Sequence, residues 1–189
     1  MPIHFGQNKA GMSADQEVDK TTKFTAKCAW DFAARNAIES AKPLNNLGIH
    51  KQVTNRVLEP FSYMRMVVTA TEWDNFFWLR LHEDADPHIN ELARVMLFAL
   101  QESIPTELQH GDYHVPFFGN GYWTPEIEAR YGVTVQQAIE HSMSCCAQTS
   151  YRKLDMSNEK TQEIVAKLFG GSRGQSSCAE HQASPMAVP

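Results

Sequence analysis

No apolar run in the chain approaches the roughly 18 residues of a membrane-spanning helix, so no such helix is expected. The first residues, MPIHFGQNKAGMSADQ, lack the basic-then-apolar order of a secretory signal. Cysteine is sparse. Cys28, Cys145, Cys146 and Cys178 form no CxxC pair, and the adjacent Cys145 and Cys146 suit neither a zinc knuckle nor a disulfide framework. A reduced, cytoplasmic protein is the expectation. Excess positive charge is missing too. Lys and Arg number 17 against 22 Asp and Glu, a net of −5. That disfavours wrapping duplex DNA, while a small anionic ligand needs only a few local cations.

What remains is a globular composition. With 42% hydrophobic and 21% charged residues in 189, wholesale disorder is excluded and one domain is expected, at about 150 residues per domain. Residues 1–12 read as a polar arm. Ser13-Ala-Asp-Gln16 has the spacing of a capping box, which predicts a long helix to about Ala41, stopped by Pro43. Ile49, Val53 and Val57 predict a second helix over 47–58, closed by Pro60. The β-rich run 62–70 (SYMRMVVTA) predicts a strand, and Thr71 could cap a short helix over 72–79. Asp86-Pro87 opens another helix, with Pro at its first position and Ile89, Leu92, Val95, Met96, Ala99 and Leu100 as its apolar stripe. Residues 104–133, rich in Gly, Pro and aromatics, read as a long irregular loop. Thr134-Val-Gln-Gln137 repeats the capping-box spacing, and Ser157 opens a last helix that Gly170-Gly171 ends.

Several clusters invite chemical readings. His110 and His114, or His82 and His88, could ligate a metal, but Gly111 argues for a loop, and HxxxH needs a helix to align both rings. No metal is expected. Gly170-Gly-Ser-Arg-Gly174 resembles a phosphate loop without its GK[ST] ending and follows a helix, so a turn is the better reading. Of Cys145 and Cys146, one should be a buried small hydrophobe and the other incidental. Arg80 lies between the aromatics Trp73, Phe76, Phe77 and Trp78 and the acidic turn 82–86. That suits a planar anionic ligand, against the plainer reading of a helix-end salt bridge to Glu83 or Asp84.

Four short segments carry a resemblance. Asn75-Phe-Phe-Trp-Leu-Arg80 followed by Asp84-Ala-Asp-Pro-His-Ile89 resembles the Asn-Phe-x-x-Leu-Arg run and following helix of the flavin-dependent thymidylate synthases. Gly48-Ile-His-Lys-Gln-Val-Thr-Asn-Arg-Val-Leu-Glu-Pro60 resembles that family's Arg-x-Val-Leu-Pro helix. Ala147-Gln-Thr-Ser-Tyr151 is similar to its Ala-Arg-Val-Ser-Phe segment, and Gly174-Gln-Ser-Ser-Cys-Ala-Glu-His181 to its Gly-His-Glu-Thr-Pro-Phe-Glu-His. In the standard family the last two segments come first, so the order here resembles the circularly permuted, phage-type form. Two departures stand out. The family's diagnostic Arg-His-Arg motif with its spaced serines is absent, and Gln175 and Ala179 replace a histidine and an aromatic.

The resemblance implies a permuted α+β fold, rich in helix, with a small antiparallel sheet, in which residues 13–189 form a partial thymidylate synthase-like domain. It implies reductive methylation of dUMP to dTMP, with FAD as cofactor and NADPH and methylenetetrahydrofolate as co-substrates. Arg80 would polarise the uracil ring as charge develops. Arg56, or Asn55 in the neighbouring register, would bind substrate phosphate, with Gln52 beside them. Asn75, Ser150, Ser177 and Glu180 would contact the flavin. It also implies an oligomer, homomeric or completed by a chain that supplies the missing motif, acting on a nucleotide with no membrane contact. A non-catalytic scaffold retaining the fold, or another pyrimidine C5-modifying enzyme, are the alternative readings.

Overall fold

The protein, described by a computed structural model, is placed over residues 1–10, 14–151, 153–171, 174 and 176–186. Its backbone contacts cluster into two compact units. Unit 1 comprises residues 1–63 and 72–103, and unit 2 comprises residues 64–71 and 104–189. Seven α-helices and one two-stranded antiparallel sheet occur among the described residues, so the helix-rich α+β class holds at that level.

In unit 1, the long helix α1 (Lys20–Asn46) starts later than its sequence spacing predicts. Ser13 lies outside the described residues. The Asp19 carboxylate caps the helix instead, accepting from the N–H groups of Thr21 (2.9 Å) and Thr22 (3.1 Å). Before it, Gly6 is bridged antiparallel to Glu17. Gly6 is required there, because a Cβ would sit 2.6 Å from the Cβ of Ala14. Pro43 does not stop α1 but lies within it. It removes one helical donor, and the turn continues because the Pro43 carbonyl still accepts from Leu47 N–H at 2.9 Å.

The helix expected over 47–58 is broken into α2 (Lys51–Thr54) and the 3₁₀ turns Asn55–Val57 and Glu59–Phe61. Gly48 adopts φ 72°, which a continuous helix cannot contain. His50 Nδ1 then accepts from Gln52 N–H at 3.3 Å and starts the new turn. The strand expected over 62–70 is not formed. The segment lies outside every helix and strand, because no second strand pairs with it among the described residues.

Helix α3 (Asp74–Arg80) begins at Trp73 rather than Thr71, without a side-chain cap. Helix α4 (Pro87–Glu102) starts as expected, with the Asp86 carboxylate accepting from His88 N–H (2.9 Å) and Ile89 N–H (3.2 Å). Its covered face differs from the expected stripe: Ala93 is fully buried, whereas Leu92, Val95 and Leu100 are exposed.

Unit 2 replaces much of the expected long loop with structure. Strands β1 (Tyr113–His114) and β2 (Tyr122–Trp123) pair antiparallel, and His114 also bridges Ala183. Helix α5 (Pro125–Tyr131) follows and ends at Gly132. Helix α6 (Val135–Ala147) opens with the reciprocal Thr134–Gln137 capping box, and α7 (Asn158–Phe169) opens at Ser157, both as the sequence predicts. Val115, Trp123 and Ala138 form a core flanked by Tyr113, Phe118, Ile127, Val135 and Ile139. The Trp123 indole N–H donates to the Val133 carbonyl at 2.8 Å. Cys145 and Cys146 are both buried, correcting the expectation for one of them, because α6 is covered by α7 and also by the 3₁₀ turn Ser177–Ala179.

Candidate functional site

Unit 2 holds a cavity of about 390 Å³ whose walls come from three separate stretches of chain. The end of α6 and the turn after it supply Cys146 and Tyr151. Helix α7 supplies Lys167 over an apolar floor of Ile164 and Leu168, and the C-terminal segment supplies Ser177, Cys178 and His181.

Local chemistry fixes each wall. Gln148, 1% exposed, caps the end of α6. Its amide donates to Ser144 Oγ (3.2 Å) and the Asp155 carbonyl (2.9 Å), and accepts from Asp155 N–H (3.2 Å). With its amide fully used, Gln148 clamps the turn that carries Tyr151. The C-terminal segment is tied to α6 through Gln182. Its amide oxygen accepts from the buried Ser142 hydroxyl at 2.9 Å, and its NH₂ donates to the carbonyls of Cys178 (3.3 Å) and Ala179 (3.2 Å). His181 Nδ1 lies 3.1 Å from Thr69 Oγ1.

Electrostatics set one ammonium, that of Lys167, apart from the inert thiols. Lys167 is ion-paired with Glu163, which also pairs with Lys160 at 2.9 Å. Hydrogen bonds from Lys167 and then Lys160 hold the Glu163 carboxyl down at about 2. Burial pushes the Cys145 thiol, just behind the cavity, up to about 11, and raises Cys146 and Cys178 as well. Thiols with raised values stay protonated at neutral pH and are poor nucleophiles. The arrangement therefore favours binding an anionic, partly aromatic ligand over covalent thiol chemistry.

The residues singled out in the sequence divide between the units. In unit 2, Ser177 lines the cavity. Glu180 accepts from the Ser176 hydroxyl at 3.1 Å in the same segment. Ser150 is exposed beside Tyr151 and does not line the cavity. In unit 1, Arg56 is exposed and pairs with Glu59 at 2.8 Å. Asn55 borders a different cavity, of about 410 Å³, beside Ile38 and Lys42. Gln52 and Asn75 are exposed.

Arg80 ends α3 with an exposed side chain. Among the described residues it forms no salt bridge with Glu83 or Asp84, and Asp84 pairs with His82 at 3.4 Å. The middle of the Gly170–Gly174 turn and Gln175 lie outside the described residues. Among the described residues, no three His, Cys, Asp or Glu side chains gather to hold a metal ion, and no helix is long and apolar enough to cross a membrane.

Sequence reasoning missed Lys167, Gln148 and Gln182. Lys167 sits three residues after Ile164 on the same helix face, so the helical spacing could have revealed it. The two glutamines read as surface polar residues, since nothing local signals that their amides will be buried. No family model, curated protein or solved structure matches the chain.

Proposed function

We propose that the chain is a flavin-dependent thymidylate synthase, or one subunit of a split enzyme of that kind, converting dUMP to dTMP. One observation carries this reading. The segments 147–151 and 174–181, which resemble two flavin-binding segments of that family, are 23 residues or more apart in sequence, yet both contribute walls to the same cavity.

The cavity's chemistry suits part of FAD. Its volume of about 390 Å³ falls within the usual range for ligand pockets. Tyr151 offers an aromatic face, Lys167 a cation for a phosphate oxygen, and Ser177 and His181 hydrogen-bonding groups. When bound, FAD supplies the hydride, with NADPH as the reductant and methylenetetrahydrofolate as the carbon donor. The chain's own residues bind and orient. Lys167 exchanges part of its pairing with Glu163 for phosphate, while Ser177 on the wall holds sugar or ring polar atoms; the resemblance assigns Ser150 and Glu180 to the flavin as well, but neither lines the cavity. In unit 1, Arg56 exchanges Glu59 for the dUMP phosphate, with Asn55 and Gln52 beside it. Arg80, whose guanidinium has no carboxylate to neutralise it among the described residues, draws electron density toward a uracil carbonyl.

The test is retention of flavin. Protein incubated with FAD and passed through gel filtration is expected to keep absorption near about 450 nm. Tyr151→Ala and Lys167→Glu should each weaken FAD binding about tenfold, a loss of roughly 1.4 kcal/mol, at unchanged helicity. A colourless wild type at every FAD concentration would sink the flavin reading. Tritium release from dUMP labelled at C5 then tests turnover, alone and with a chain carrying the Arg-rich motif.

A further inference from the structure

Helix α1 is apolar on two faces, and among the described residues only one of them is covered. The inner face runs through Ala26, Trp30, Ala34, Ala37 and Ala41. Ala37 and Ala41 are buried, and the Trp30 ring stacks edge-on against Phe61 at 5.4 Å. The outer face carries Phe24, Cys28 and Phe32, four residues apart and so about 6 Å apart along the axis. Phe24 is 70% exposed, Phe32 is 67% exposed, and Cys28 is exposed. Two phenylalanines left open on one stripe of a stable helix call for a covering surface.

The stripe reads the same in both directions about Cys28: Phe, three residues, Cys, three residues, Phe. We propose that this face of α1 packs against α1 of a second copy of this chain, antiparallel, with the two-fold axis passing at Cys28. A closed two-fold contact needs a surface complementary to itself, and this stripe is one. Phe24 of each copy meets Phe32 of the second copy, and Cys28 meets Cys28 of the second copy.

Charge supports the direction. In the antiparallel pairing Asp31 faces Thr25 of the second copy and Arg35 faces Thr21, so no like charges oppose. In a parallel pairing Asp31 would face Asp31 and Arg35 would face Arg35, which is unfavourable. The four phenylalanine rings of such a pair bring roughly 500 Å² toward the roughly 1,600 Å² of a standard interface, and Thr21, Thr25, Asp31, Arg35 and Ile38 continue it. The inference stands independently of the flavin reading.

The experiment combines mass, cross-linking and a charge swap on the full chain. Light scattering should show a dimer, and a short bis-maleimide should join two copies through Cys28, with Cys28→Ser abolishing the product. Phe24→Lys and Phe32→Glu should each raise the dimer dissociation constant about tenfold or more, at unchanged helicity by circular dichroism. The double variant Phe24→Lys/Phe32→Glu should recover most of that loss, because antiparallel pairing sets Lys against Glu at both ends. A monomeric wild type, no Cys28 cross-link, or a double variant weaker than either single one would each overturn the proposal. Should the single variants fail to fold, the wild-type cross-link and its loss in Cys28→Ser still decide it.

Discussion

The two units of this chain solve the problem of stability differently. Unit 2 closes around its own side chains. Val115, Ala138 and Cys145 are fully buried and Trp123 nearly so, and the buried amide of Gln148 finds its partners within the unit. Unit 1 is built from long helices, yet among its described residues the buried hydrophobic side chains are only Ala37, Ala41 and Ala93, while Phe24, Phe32, Trp78 and Phe98 stand open. Burial of large apolar side chains dominates folding free energy, so the described core of unit 2 supplies more stability than that of unit 1. The cavity lies in unit 2, beside the better-buried core.

The contrast can be broken or sharpened by substitution. The largest effect is expected at Trp123. Trp123→Ala should cost about 3–5 kcal/mol, read as a lower denaturant midpoint. Trp78→Ala in unit 1, where the side chain is 74% exposed, should stay within about 0.5 kcal/mol under conditions that keep the chain monomeric. Similar costs at both positions would remove the distinction between the units. Next comes Gln148→Ala, which deletes the three hydrogen bonds of a buried amide, that to the buried Ser144 hydroxyl included, and should cost about 2 kcal/mol. It should also weaken FAD binding, because the clamp on the Tyr151 turn is lost. A stability loss with unaltered flavin affinity would show that the clamp does not shape the cavity.

Smaller effects follow at helix ends and in acid. Thr134→Ala removes the capping box of α6 and should cost about 1 kcal/mol, measured by thermal denaturation. Glu163, held at about 2 against a usual 4.5, stabilises α7 fully above about pH 4.5, and that contribution is lost as pH falls toward 2. Amide chemical shifts of Ile164 and its neighbours should therefore move toward coil values over that range, less so in high salt. A helix that tightens on acidification would contradict the pairing with Lys160 and Lys167.

The parts of this fold legible in the sequence are those whose cause is local. The starts of α4, α6 and α7 follow from Asp86-Pro87, Thr134 to Gln137 and Ser157, where a side chain satisfies the N–H groups of the turn just after it. Features that depend on partners distant in sequence were not legible. Residues 62–70 have the composition of a strand, but a strand exists only when another pairs with it. Cys146 resembles Cys145 in sequence, and only the coverage of α6 on two sides buries both. Of the site residues, Ser177 sits at the cavity wall, whereas Arg56 is paired with Glu59 and Ser150 lies off the wall. Helical spacing puts Lys167 on the face of Ile164, but that this face borders a cavity follows only from the C-terminal segment, which supplies the opposite wall.

Hydrogen exchange with and without FAD, on the full chain, tests the functional reading most directly. Slower exchange is expected on FAD addition in residues 146–151, 164–168 and 177–181, the stretches that wall the cavity. Unchanged exchange in all three at saturating FAD would contradict it.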